Sequence, residues 1–161
     1  MKLLNPKSGV TLLEVLIYAG IAIIVLVISA ESFNMIAVTQ KKVDARREIS
    51  QNLSFGLEKI EQSVKDGSAI TFPAMKESSD TLSLTISGAT TTYSLSNGVL
   101  QKTAGGTTTD ITTDKVTVSG DIVGELFYRQ AIPLIQVKMK VTSVSDSGIY
   151  SQAQTSFNVR E

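Results

Sequence analysis

The chain has 161 residues, room for one modest domain and an additional segment, with 15 basic residues balanced by 15 acidic ones. That neutrality gives no support to nucleic-acid binding by the molecule as a whole. Neither cysteine nor histidine occurs, which excludes disulfides, thiolate zinc sites, Ser-His pairs and Cys nucleophiles within the chain and disfavours most enzyme chemistry.

The first nine residues, MKLLNPKSG, carry Lys2 and Lys7 and no acid. Next comes a run apolar enough to enter a bilayer. Val15 to Ala30, VLIYAGIAIIVLVISA, holds no charge, and extended back to Val10 the run contains a single acid, Glu14. About 21 residues at 1.5 Å each span roughly 31 Å, matching a bilayer core of about 30 Å. Apolar residues occupy nearly every side of this helix, whereas a helix lying on a protein surface keeps a polar back. The flanking lysines place the N-terminus in the cytoplasm and the chain beyond Ala30 outside it.

Glu14 is the anomaly. A charge at the centre of a membrane helix costs about 2.5–3.5 kcal/mol on insertion scales, so a partner is expected. Cleavage after Gly9 supplies one, because it frees an α-amine on Val10, one helical turn from Glu14 and at the same depth in a neighbouring parallel chain. Cleavage near Ala30, in "ISAES", would instead release a soluble product. An acid that only reaches up to the headgroups is the bland alternative.

Lys7-Ser8-Gly9, then Val10-Thr11-Leu12-Leu13-Glu14 and the apolar run, resembles the class III leader of type IV pilins and type II secretion pseudopilins. The resemblance implies a leader over residues 1–9, with Gly9 as the residue cut after by a prepilin peptidase and Val10 as the N-methylated mature terminus. It implies Glu14 as the assembly acid, with Thr11, Leu12 and Leu13 fitting the same pattern. Val10 stands where the family usually has Phe. The implied partners are the peptidase, other pilins or pseudopilins, the assembly platform, and membrane lipid before assembly. No cofactor is expected; some major pseudopilins bind calcium in their sheet loops, but those ligands do not map onto this sequence.

After Ala30 the helical period continues without proline until Pro73. Phe33, Ile36, Ala37 and Val43 share a face, and Ile49, Leu53, Leu57, Ile60 and Val64 form an apolar stripe. Glu61 and Lys65 are an i,i+4 pair, and Lys65 with Gly67 marks the helix end. A helix from Val10 to Asp66 would be about 85 Å long if unbroken. Its halves are the membrane or filament-core part, 10–30, and the amphipathic part, 31–66. Between them Lys41, Lys42, Arg46 and Arg47 read either as a solvated neck partly neutralised by Asp44 and Glu48, or as a contact for lipid phosphates or neighbouring acids.

From Thr81 the period changes to two. Thr81–Ser87, Thr90–Ser96, Gly98–Thr103, Lys115–Ser119, Leu134–Val144 and Ile149–Val159 read as strands, with Asn97-Gly98 a strong hairpin signal. The expectation is an α+β fold: a long N-terminal helix packed on a C-terminal antiparallel sheet over 67–161, a meander with one buried face covered by the Ile49–Val64 stripe. The resemblance implies the same order, that of the type IV pilin fold. "TTYSLSNGVLQKT" and "TSFNVR" are similar in strand rhythm to J-type minor pseudopilins and W-type minor pilins, and the lack of cysteine departs from pilins with a C-terminal disulfide loop.

No acid–base constellation emerges. Asp110, Asp114, Asp121 and Glu125 lie near loops and have oxygen ligands for calcium, but without EF-hand spacing they read as solvated turn acids. Phe127, Tyr128 and Arg129 read as core packing with a surface Arg, or alternatively as a contact patch. The functional expectation is a minor pilin or pseudopilin of a pilus, secretion or competence filament. The alternative is an uncleaved, single-pass, membrane-anchored extracytoplasmic module such as an adhesin or sensor.

Overall fold

The computed structural model describes residues 11–120, 124–131 and 134–159. The chain comprises two compact units, Met1–Lys41 and Lys42–Glu161. Helix α1, Leu12–Asp66, contributes to both.

Thr11 begins the helix as its N-cap. Its Oγ1 accepts from the Glu14 N–H at 3.3 Å, satisfying one of the donors a helix leaves open at its start. At the other end Lys65 bonds Glu61 at 2.6 Å, and the Gly67 N–H reaches back to the Val64 carbonyl at 3.3 Å. Gly67 is not in the left-handed conformation of a common glycine cap. Its lack of a side chain spares a tight contact, since a Cβ there would lie 3.1 Å from the Ser63 carbonyl oxygen.

In the unit Lys42–Glu161 the fold is α+β, with the C-terminal half of α1 packed on antiparallel sheets. The first sheet has the order β1-β3-β4-β5-β6, formed by Ala69–Phe72, Thr81–Ile86, Ala89–Ser96, Val99–Ala104 and Thr107–Asp110. The turn between β4 and β5 is Asn97-Gly98, with φ of 50° and 78°. Two positive values define a type I′ turn, whose twist matches the flanking strands. It sets the register that pairs Tyr93 with Lys102.

The second sheet has the order β10-β9-β8-β2, with β7 also paired to β9; its strands are Tyr150–Asn158, Leu134–Ser143, Phe127–Arg129, Ser78–Ser79 and Val116–Ser119. The single meander expected from the sequence is therefore corrected to two sheets. Alternation tells each strand which face to bury but not which neighbour to choose. At ten residues β9 is long enough to pair β8 at Ile135–Val137 and β7 at Lys140–Ser143 along one side.

The core closes between these sheets and the helix. Ile49, Ile60 and Val64 from α1 meet Leu82, Leu84, Tyr93, Leu100, Phe127 and, from β9, Ile135, Val137, Met139 and Val141, all at most 1% exposed. Each such aliphatic or aromatic side chain contributes on the order of 1.5–3 kcal/mol on burial. Polar ties fix the helix in place. Asn52 donates from Nδ2 to the Glu48 carbonyl and to Thr113 Oγ1, and its Oδ1 accepts from the Thr113 N–H at 2.9 Å.

Ser63 lies deeper. Lys102 Nζ donates to Ser63 Oγ at 3.1 Å, Ser63 Oγ lies 2.8 Å from the Tyr93 hydroxyl, and that hydroxyl donates to the Lys59 carbonyl at 2.8 Å. Burial raises the Tyr93 pKa above its ordinary value, and the Ser63 hydrogen bond opposes this in part.

Candidate functional site

The exposed half of α1 defines the site. Every large apolar side chain from Leu12 to Val38 is between 50% and 82% exposed. This is the stretch long and apolar enough to cross a membrane, and none of it is buried within the chain. Apolar surface on that scale requires a cover, either hydrocarbon or other helices.

Its polar groups are largely satisfied from within. Ser29 Oγ donates to the Val25 carbonyl at 2.7 Å, Ser32 Oγ to the Ile28 carbonyl at 2.8 Å, and Thr39 Oγ1 to the Met35 carbonyl at 2.8 Å. Each hydroxyl thus enters an apolar medium already bonded to the preceding turn. Glu14 differs. Its Oε1 accepts from the Tyr18 hydroxyl at 3.1 Å. A phenol fills one lone-pair position of a carboxylate but leaves its charge uncompensated.

Of the residues singled out by the sequence, Thr11, Leu12, Leu13 and Glu14 form the cap and first turn of α1, and Val15 to Ala30 continue it. Leu12 and Leu13 are 82% and 68% exposed, free to meet an apolar neighbour. Gly9 and Val10 lie outside the described residues. Sequence reasoning missed two local features. Thr11 and Glu14 have the spacing of a capping box, Thr-x-x-Glu, which makes Thr11 a helix starter. Tyr18 lies four residues after Glu14, the separation that brings two side chains together on a helix.

The secondary candidates resolve differently. Lys41, Lys42, Arg46 and Arg47 are all exposed. Glu48 turns from them, accepting from Thr113 Oγ1 at 3.2 Å and lying 3.9 Å from Lys115 Nζ. Asp110 Oδ1 accepts from Gln101 Nε2 at 2.8 Å. Among the described residues no three acids come together as a metal group, and Asp121 lies outside them. Phe127 is fully buried, Tyr128 and Arg129 half-buried. Arg129 Nη1 donates to the Pro73 carbonyl at 3.2 Å, so the guanidinium is bound inward.

Comparison with known proteins gives no match: no family model, no curated protein and no solved structure is significantly similar to the chain.

Proposed function

We propose that the chain is a minor pilin or pseudopilin, a structural subunit of a type IV pilus, a type II secretion pseudopilus or a competence filament. One observation carries this reading. A helix with apolar residues exposed on all sides presents, in its first turn, a carboxylate that has no cationic partner among the described residues. Such a surface suits two environments in succession, lipid and then a bundle of similar helices.

In this reading the chain enters the cytoplasmic membrane with its N-terminus inside. A prepilin peptidase cuts after Gly9 and methylates Val10. The freed amine of one subunit then pairs with Glu14 of its neighbour, and the assembly platform draws the helix from lipid into an extracytoplasmic filament. An isolated charge in hydrocarbon gains most from a partner where water is excluded, so the pair sets axial register as well as affinity.

One observation favours the second reading, an uncut membrane-anchored extracytoplasmic module. Tyr18 already gives the Glu14 carboxylate a local hydrogen bond without any outside partner. Co-purification separates the two. Glu14→Ala should leave insertion and cleavage intact but remove the chain from isolated filaments, and incorporation at the wild-type level would refute the assembly role.

A further inference from the structure

The last strand, β10, has one paired side and one open side. It pairs β9 along its full length, Tyr150 to Asn158, and among the described residues no strand pairs its other side. The Ser143 N–H donates to the Ile149 carbonyl, while the Lys138 N–H of β9 points away, to Leu126. Antiparallel ladders alternate. Accordingly Ser151, Ala153, Thr155 and Phe157 bond β9, whereas Tyr150, Gln152, Gln154, Ser156 and Asn158 aim their backbone N–H and C=O groups at the open edge.

Natural edge strands are protected by charge, proline, bulges or brevity. This one has nine residues, YSQAQTSFN, with no charge, no proline and an unbroken register. Its inward face is also incompletely covered. Ser151, Ala153, Thr155 and Phe157 are only half-buried, while their neighbours Ile135, Val137, Met139 and Val141 are at most 1% exposed. Beside the start of β10 a cleft of about 290 Å³ opens against α1, lined by Arg46, Ser50, Ile149 and Tyr150.

On the outward faces of β9 and β10 the charges are basic, while Asp146, in the turn before β10, accepts from the Gly148 N–H. On the outward face Lys140 lies opposite Gln152 and Lys138 opposite Gln154, and Lys140 Nζ stacks 4.6 Å above the Tyr150 ring. Among the described residues, Arg46, Lys138 and Lys140 have no acidic partner within 4 Å.

We propose that the open edge of β10 is a strand-addition site for an extended segment of a partner protein in which apolar and acidic side chains alternate. Its backbone would complete the ladder. Its apolar residues would cover the inward face beside Ala153 and Phe157, and its acids would meet Lys138 and Lys140 outside. The proposal does not depend on filament assembly. A chain that keeps Met1 and still takes the segment would retain this site and lose the other reading.

The test uses the full chain in detergent micelles and a fluorescent, end-capped peptide of about ten residues alternating valine and glutamate, matched to the length of the strand. Saturable binding is expected. Gln154→Pro removes only an outward N–H, a change that an edge strand tolerates, and should weaken binding roughly tenfold or more with thermal unfolding unchanged. Lys138→Glu with Lys140→Glu should reverse the preference toward a valine–lysine peptide, and this variant carries the test if the proline variant folds poorly. No saturable binding by the wild type, or equal binding by a well-folded Gln154→Pro chain, would overturn the proposal. So would self-association abolished by Gln154→Pro without peptide binding, which would assign the edge to a second copy.

Discussion

Tyr18 donates its phenolic hydrogen to Glu14 across one helical turn, at 3.1 Å. The bond helps an acid whose charge it cannot cancel. If the carboxylate's essential partner lies on another subunit, the two residues must respond differently to substitution. Glu14→Gln should lower recovery of the mature chain in sheared filaments by more than about tenfold, the equivalent of about 1.4 kcal/mol. Tyr18→Phe should stay within about twofold, since it removes one exposed neutral donor. Quantitative immunoblotting of filament and membrane fractions reads both. Equal losses would make the intrachain bond the functional one.

Tyr93 is fully buried on β4, and burial raises its pKa. A group protonated in the fold beyond its unfolded pKa, near 10, contributes stability that is intact below that pH. The contribution is lost as pH rises through the folded value, because the unfolded chain ionises first. The melting temperature should therefore fall above about pH 10 more steeply for the wild type than for Tyr93→Phe. Parallel pH profiles would contradict this.

Gly98 occupies φ +78°, and a Cβ there would lie 2.6 Å from Thr117 Cγ2 on β7. Gly98→Ala should cost about 1–2 kcal/mol for the left-handed backbone and about 1–3 kcal/mol for the clash. Adding Thr117→Ser removes the clashing methyl and should recover only the second part. Denaturant titration of the two single variants and the double variant measures this. Full recovery would mean that backbone strain is negligible.

Ile60 and Leu16 share a helix but not a role, being 0% and 64% exposed. Ile60→Ala should destabilise the folded unit 42–161 by about 2–5 kcal/mol through a cavity. Leu16→Ala should leave its unfolding unchanged in detergent. Similar shifts for both would argue that the exposed half of the helix contributes to the core.

Much of this fold was legible in the chain. The steps from Ile49 to Val64 marked the buried side of α1, and Asn97-Gly98 located a hairpin, because both depend on local period and turn chemistry. Two sheets in place of one were not legible, since the pairing of β7 with β9 is a choice among equivalent alternating strands and β8 carries no strand pattern of its own. The short strands Ala69–Phe72, Ser78–Ser79 and Phe127–Arg129 owe their form to neighbours rather than to pattern. At the site, Glu14 stood out because its charge is incongruous in an apolar run. Tyr18 did not, because an aromatic residue in such a run raises no question until its hydroxyl is located.

In the proposed function, the Glu14 carboxylate acquires its counter-charge only when the leader is removed. Intact-mass measurement with N-terminal sequencing, on chain purified from its own host with the processing peptidase active, tests this most directly. A mature chain beginning at N-methylated Val10 is the predicted result. A chain that retains Met1, or one that begins near Glu31, would contradict it.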